Sequence, residues 1–461
     1  MSFIEDWVDA RQDEIIATLQ DWCRIPSLEA DALPSKPFGE ALYTMLEHVL
    51  AFCRAQGMET LNVDGYAGHV DWADGDETFG ILVHLDVVPE GDDWTYPPYG
   101  AEIHNGNIYA RGVSDNKGSG VAVMYGLMAA IASGAQFKRK VRIIFGCNEE
   151  SGFKCMQYYR SVMKMPDFGI VPDASFPVIN TEKGIVNIGV HSGNNLYPIV
   201  SMRAGTRVNV VPDRATATVD LPIEHFAQAL AAFEQAYPGA VQCIAQGSQT
   251  VVNAFGVSAH AAWPQGGKNA ACYLIDFLAG AQLQGAAQDT MQFLKQAFCY
   301  DTDGSGWNVK LEDAVSGALT MNLGTLEYGN ASLDIDVDIR HPVTFLGEDI
   351  AATMQAVCVA ANVGVETVAQ RVTPGYHVPE DHFLVQKLLK VYEQITGEKG
   401  YTIAIGGGTY ARAMPNAVVF GSGHEGSETG AHQRDEHLPI AELILNTKIY
   451  ANTILALACD E

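Results

Sequence analysis

At 461 residues the chain is longer than one hydrophobic core normally serves, so two domains are expected, and an apolar share of 48% with 45 glycines fits a globular α/β protein rather than a disordered one. A net charge of −27 excludes a nucleic-acid partner, because affinity for a phosphate backbone rests on Lys and Arg, and no apolar run reaches the length of a membrane span. Nine scattered cysteines, none spaced as Cys-x-x-Cys, argue against a disulfide framework or a thiolate zinc site.

The first stretch, about Ile4 to Cys23, is acidic and helix-patterned, with no basic segment ahead of an apolar one. It predicts a helix rather than a secretory signal, and hence a cytoplasmic protein. A second helix is expected from about Gly39 to Gln56, after a proline-rich turn. The apolar, β-branched run Gly80 to Val88 predicts a buried strand. A helix from about Lys117 to Ser133, a strand from Val141 to Cys147, a helix from Glu150 to Met163 and a short strand ending at Asp173 follow. Strands alternating with helices imply a mostly parallel sheet flanked by helices, an α/β fold whose ligands bind at the carboxyl ends of the strands.

The middle of the chain has a different texture. Stretches such as Thr216 to Leu221 and Ala331 to Arg340 alternate like strands with one wet face, and helical patterns lie near His225 to Tyr237 and Lys268 to Gly280. This predicts an inserted α+β domain over residues 185–376, within a first domain made of residues 1–184 and 377–461. From about Glu380 the pattern returns to helix, strand, glycine-rich turn and a long final helix.

Hard dications at neutral pH want carboxylate oxygen and imidazole nitrogen on loops held by rigid strands. Five segments supply them: His84-Leu85-Asp86, Arg111 to Gly118 with Asp115, Asn148 to Gly152 with Glu149 and Glu150, Val171 to Ala174 with Asp173, and Gly430 to Glu436 with His432. Plain structural readings exist for each. Asp115 can cap a helix, Glu149 and Glu150 can sit favourably at a helix N-terminus, and His432 and His437 can be loop residues. None of these explains why the acids and imidazoles fall at the ends of successive strands. Carboxylates converging in one crevice repel and lose their charge unless a cation holds them.

The ordered set His84-Leu85-Asp86, Arg111-Gly112-Val113-Ser114-Asp115, Glu149-Glu150-Ser151-Gly152, Pro172-Asp173-Ala174 and Ala431-His432 resembles the M20 family of metallopeptidases, most closely its PepV-type dipeptidase branch. The resemblance runs from Trp22-Cys23-Arg24-Ile25-Pro26-Ser27 to Asp435-Glu436-His437-Leu438-Pro439-Ile440. It implies two bound zinc ions, with manganese or cobalt as alternatives. It further implies His84 and Asp173 as ligands of one metal, Glu150 and His432 of the other, Asp115 bridging both, Asp86 orienting the His84 ring, and Glu149 as general base. One departure is Asn116, where the family usually has a second Asp; it lowers the local negative charge by one.

In the inserted domain, Gly256 to Pro264 matches the family's oxyanion-steadying histidine at His260, while Asn209 and Arg340 resemble residues that grip substrate polar groups. Arg340 would hold a terminal carboxylate through its guanidinium fork. By the same resemblance the inserted domain is a lid that closes over the metals, and the glycine-rich Gly406 to Arg412 offers Thr409 and Arg412 to the substrate. His48, His69, His104 and His225 are expected to be ordinary core or surface residues. The implied activity is hydrolysis of small peptides, dipeptides first, by a monomer. Rival readings are an N-acyl-amino-acid deacylase with the same metals, a two-metal phosphoesterase and a peptide-binding protein without catalysis.

Overall fold

The computed structural model describes residues 3–299 and 301–459. The chain forms two compact units, one of Met1–Asn180, Val378–Ile403 and Gly408–Glu461, the other of Thr181–His377 with Ala404–Gly407. The short stretch 404–407 thus joins the inserted unit, although the sequence pattern alone leaves it with the flanking one.

The first unit is built on a mixed sheet. Its centre holds four strands, β1 (Thr78–His84), β2 (Lys140–Gly146), β3 (Phe168–Val171) and β4 (Ala417–Val419), in the order β2-β1-β3-β4 with every neighbouring pair parallel. β1 and β3 are buried along almost their whole length, as expected of strands covered on both faces. Outside β2 lie Ala67–Trp72 and then Glu59–Val63, and beyond β4 lies Val178–Glu182, all in antiparallel pairings. The parallel arrangement therefore holds for the centre, where the strands that lead to the candidate site residues run, and gives way at the flanks.

The expected first helix is two, Phe3–Asp9 and α1 (Gln12–Cys23), separated at Ala10 and Arg11. α2 (Gly118–Ala132) is buried on nearly every side because it packs against both α1 and α3 (Ile440–Ile454). A Cβ at Gly126 would come within 2.9 Å of the Ala451 amide nitrogen, so only glycine lets α2 and α3 approach this closely. At the start of α2 the fully buried Lys117 donates from Nζ to the carbonyls of Trp22 (3.2 Å) and Ile25 (2.8 Å), pairing a cation with carbonyls at the end of α1, where the helix dipole is negative. That anchor fixes the turn Val113–Lys117, and with it Asp115, against the sheet.

The second unit carries an eight-stranded sheet in the order Val241–Gln246, Gln249–Phe255, Arg214–Val219, Ile199–Ala204, Thr320–Gly329, Ser332–His341, Gly184–Ser192, Glu366–Thr373. Every pairing in it is antiparallel. Arg214–Val219 alternates exposed and buried residues, the one-faced pattern expected from its sequence. Helices Ala270–Gly280 and Gly285–Phe298 close its core around Leu274, Phe277, Leu294 and Trp307. Asn269 caps the first of these by accepting from the amides of Ala271 and Cys272. Among the described residues no helix is long and apolar enough to cross a membrane.

Candidate metal centre

The site forms at the carboxyl ends of β1, β2 and β3. β1 terminates at His84, and its ring is buried to 1% exposure. After β2 the chain makes a tight turn through Gly152 (φ 132°) and Phe153 (φ 64°), so helix Lys154–Val162 begins later than the expected Glu150. Glu149 and Glu150 therefore lie in a loop at the strand end and not in a helical first turn. Asp173 follows β3 by two residues.

These side chains converge. Ligand atoms of His84, Glu149 and Asp173 lie within 4.8 Å of one another, and so do those of His84, Asp115 and Glu150. His84 Nε2 is 2.9 Å from Asp115 Oδ1 and 3.5 Å from Asp173 Oδ1. His432 Nε2 is 2.9 Å from Asp115 Oδ2 and 3.1 Å from Glu150 Oε1. Asp115 thus stands between the two imidazoles, one carboxylate oxygen toward each. It caps no helix, which removes the plain structural reading of that residue. Glu149 and Glu150 differ in their bonding: Glu150 meets His432, whereas no hydrogen bond from Glu149 to either histidine is present among the described residues.

Asp86 is buried beside His84, but its part differs in detail from the expected one. The nearest partner of His84 Nδ1 is the main-chain oxygen of Asp86 at 2.9 Å; the Asp86 carboxylate stands at 3.5 Å and accepts from the Glu150 amide at 3.0 Å. A carbonyl only accepts, so Nδ1 carries the proton and Nε2 is left to face the carboxylates. That is the tautomer a ligating imidazole needs. Asn116, after the cis Asp115–Asn116 peptide, donates from Nδ2 to the carbonyl of Pro172 (2.7 Å) and to Asp173 Oδ1 (2.8 Å).

The charge state of this cluster tests whether it suits a cation. Burial, and after it the charge of Asp173, pushes the Glu149 carboxyl up to about 9; burial and the charges of Asp115 and Glu150 push Asp173 up to about 6 against the pull of His84. Hydrogen bonds to Asp115 and Glu150 lift His432 to about 10. Burial would lower His84, but the charge of Asp173 and hydrogen bonds to the surrounding carboxylates raise it well above the usual histidine value. Without a cation Glu149 and Asp173 hold their protons more tightly, while Asp115, against its burial, is kept well below the usual carboxylate range by hydrogen bonds from His432 and His84, so that the imidazoles serve as substitute cations. Oxygen and imidazole donors at this spacing, with no thiolate, fit divalent metal ions. Cys147 sits at the same strand end, but burial raises its thiol far above neutrality, so it stays protonated.

The loop that brings His432 is anchored by residues whose role the sequence did not reveal. Glu436 is fully buried and accepts five hydrogen bonds, from Arg111 Nη1 (2.6 Å), the amides of Gly112 (3.0 Å), Ser114 (3.0 Å) and Asp115 (3.1 Å), and Ser114 Oγ (3.1 Å). Its only sequence signal is a carboxylate and an arginine inside motifs already rich in ligands.

In the second unit, His260 and Asn209 lie on adjacent strands of chain, joined by the bridge between Val210 and His260 and by the Ala261 amide bonded to the Asn209 carbonyl at 2.9 Å. The Ala262 amide donates to His260 Nδ1 at 3.1 Å, which leaves Nε2 as the N–H donor. Desolvation, and next the Arg340 charge, lower the pKa of His260, so the ring is neutral at pH 7. Arg340 is buried and held by Asp338 through Nε (2.5 Å) and Nη2 (3.0 Å), and by the Gly406 carbonyl through Nη1 (2.6 Å). Two of its five N–H groups remain outside these bonds.

In the first unit, Thr409 is buried and caps the turn Tyr410–Ala413 by accepting from the Ala411 amide at 3.1 Å, a structural task its sequence context does not announce; Arg412 stands half-buried in the same turn. His48, His69, His104 and His225 each bond to a local partner, Asp21, Tyr159, Glu102 and the Ala281 carbonyl respectively.

Comparison with known proteins gives the family. "Putative dipeptidase YtjP" of Bacillus subtilis (strain 168) is 37% identical over 97% of this chain and 98% of its own. The Beta-Ala-Xaa dipeptidase of Lactobacillus delbrueckii subsp. lactis is 31% identical over 99% of this chain and 98% of its own. The crystal structure of human carnosine dipeptidase 1 shares the fold at a TM-score of 0.57 and 15% identity, covering 98% of each chain. The sequence pattern of peptidase family M20/M25/M40 matches residues 80–456, a span that contains His84, Asp115, Glu149, Glu150, Asp173 and His432. With the family pattern matched over residues 80–456 and a relative 37% identical over nearly the whole chain, the chain belongs to the peptidase family M20/M25/M40.

Proposed function

We propose that the protein hydrolyses the peptide bond of dipeptides, using two divalent metal ions, zinc in the first instance and manganese or cobalt as alternatives. The observation that carries this reading is the convergence of His84, Asp115, Glu150, Asp173 and His432 around one point, with Glu149 beside them and bound to neither imidazole. Relatives that align over nearly the whole chain carry dipeptidase names, which supports the same substrate class.

His84, Asp115, Glu150, Asp173 and His432 would hold the two cations, which when bound would supply Lewis acidity toward the scissile carbonyl and lower the pKa of water. The residues do the rest. Glu149 takes the proton of the attacking water and returns it to the leaving amine. Asp86 holds His84 in its Nδ1–H tautomer through its main-chain oxygen. His260, neutral and with Nε2–H free, donates to the developing oxyanion, and Asn209 beside it binds a substrate polar group. Arg340, pre-oriented by Asp338, offers its remaining N–H groups to the free carboxylate of the substrate. The active form in this reading is a monomer.

The test is hydrolysis of a panel of free dipeptides, their C-terminal amides, and N-acetyl or N-succinyl amino acids by metal-loaded protein, with and without chelator. Chelator-sensitive cleavage of free dipeptides is the expected result. Cleavage of the acylated amino acids alone would make the protein a deacylase and overturn the dipeptidase reading.

A further inference from the structure

Two loops far apart in sequence meet at the candidate metal centre: 112–115, which delivers Asp115, and 430–436, which delivers His432. We propose that Glu436 is the positioning residue that locks these loops in register, so that Asp115 and His432 present their atoms to the same metal ion. This rests on the metallopeptidase reading above and goes beyond it, since no ligand or base role is involved.

The bonding is unusual for a mere charge pair. A buried Arg–Glu pair needs only Arg111, yet four of the five donors on Glu436 come from the segment Gly112 to Asp115, including the amide of Asp115 itself. The carboxylate has about four lone-pair sites and is therefore saturated. Arg111, 1% exposed, then ties back to the same loop by donating from Nη2 to the Gln433 carbonyl at 3.1 Å. On the outer side Asp435 accepts from the Thr95 amide (2.7 Å) and hydroxyl (2.8 Å).

The loop needs such holding because it is strained. His432 (φ 63°) and Asp435 (φ 57°) both adopt left-handed backbone conformations that favour glycine. Such a conformation persists only where neighbouring contacts over-determine it, and the bonds of Asp435 and Glu436 are those contacts. Asp115 Oδ2 then lies 2.9 Å from His432 Nε2, a spacing set by main-chain amides rather than by the two side chains alone.

The experiment uses metal-stripped full-length protein. Binding of zinc and of manganese is measured by titration calorimetry, beside kcat and KM for a dipeptide. Glu436→Gln keeps the volume but turns an NH2 group toward one of the donors. The expected result is a folded protein, by circular dichroism and thermal unfolding, that binds the more weakly held ion about 10–100-fold less tightly, as for other changes to groups that orient ligands. Its kcat falls and its KM for the dipeptide stays. A folded Glu436→Gln variant with wild-type metal affinity and wild-type kcat overturns the proposal.

If that variant does not fold, Ser114→Ala removes a single donor from the carboxylate. It is expected to weaken metal binding about 2–10-fold, the worth of one hydrogen bond, with an unchanged unfolding midpoint in the metal-free state. Unchanged affinity in a folded Ser114→Ala protein overturns the proposal equally. A wild-type protein that binds two ions but cleaves no dipeptide sinks the functional reading alone and leaves this comparison of affinities standing.

Discussion

Asn116 holds Asp173: its Nδ2 stands 2.8 Å from Asp173 Oδ1 and 2.7 Å from the Pro172 carbonyl, and both partners are acceptors. In this chain the group at position 116 therefore acts as a donor. Asn116→Ala leaves Asp173 unsupported and is expected to lower metal affinity about 10–100-fold. Asn116→Asp places a second acid against Asp173 and the carbonyl, so in the metal-free state it must keep a proton or open the turn. The expected signature is a lower unfolding midpoint in chelator that metal restores further than in Asn116→Ala. Calorimetry and thermal unfolding of the two variants check it; a metal affinity unaffected by Asn116→Ala would remove the holding role.

Glu149 is expected to be dispensable for metal and indispensable for turnover. Glu149→Gln removes the base and keeps the shape, so kcat should fall by about 10²–10⁴. Metal content of the dialysed protein, measured by mass spectrometry, should stay at the wild-type level. Loss of a metal ion along with activity would reassign Glu149 to the ligand set, which its closeness to His84 and Asp173 allows.

Arg340 presents a fork that Asp338 already orients. Arg340→Lys keeps the charge and loses both the fork and its bidentate grip. The expected effect is a rise in KM for free dipeptides of about 10–100-fold, the range of a charge-assisted hydrogen bond of about 1.5–3 kcal/mol. Steady-state kinetics on dipeptides and their amides separates the cases. Equal losses on both substrates would show that Arg340 does not read the carboxylate.

His69 makes stability depend on pH. It is buried and bonded to the Tyr159 hydroxyl; burial, and next the Arg142 charge, lower its pKa from 6.5 to about 4. The folded state keeps it neutral where the unfolded chain takes a proton. Its contribution is therefore complete above pH 6.5 and is lost as pH falls toward 4, a change of about 3 kcal/mol. His69→Gln should flatten the fall in unfolding midpoint between pH 6.5 and 4 relative to wild type. A variant with the wild-type slope would show that other groups carry the acid sensitivity.

Several candidate site residues were legible because they follow an apolar strand: His84 ends β1, Glu149 and Glu150 follow β2, and Asp173 follows β3. Residue type and position along a strand survive in sequence. What decides the fine geometry does not. The carbonyl of Asp86, rather than its carboxylate, fixes the His84 tautomer, and a main-chain oxygen leaves no mark on residue identity. Thr409 caps a turn, Glu436 gathers amides, and the late start of the helix after Glu150 depends on Phe153 adopting φ 64°; all are tertiary outcomes. The antiparallel flank was missed for another reason. Strands Glu59–Val63 and Ala67–Trp72 are joined through Asp64 (φ 52°) and Gly65 (φ 74°), a short hairpin turn whose Asp-Gly signal is present in the sequence.

The lysine at the start of α2, the strand ends and the late histidine loop together have a consequence for synthesis. The candidate site needs His84 and His432 at once, and they leave the ribosome on the order of tens of seconds apart at ~5–20 residues per second. A nascent chain carries an acidic, half-built cluster for that whole interval, with Lys117 already able to seat Asp115. A chain that stops before residue 432 lacks one of the candidate ligands, and is expected to bind metal more weakly than the full chain.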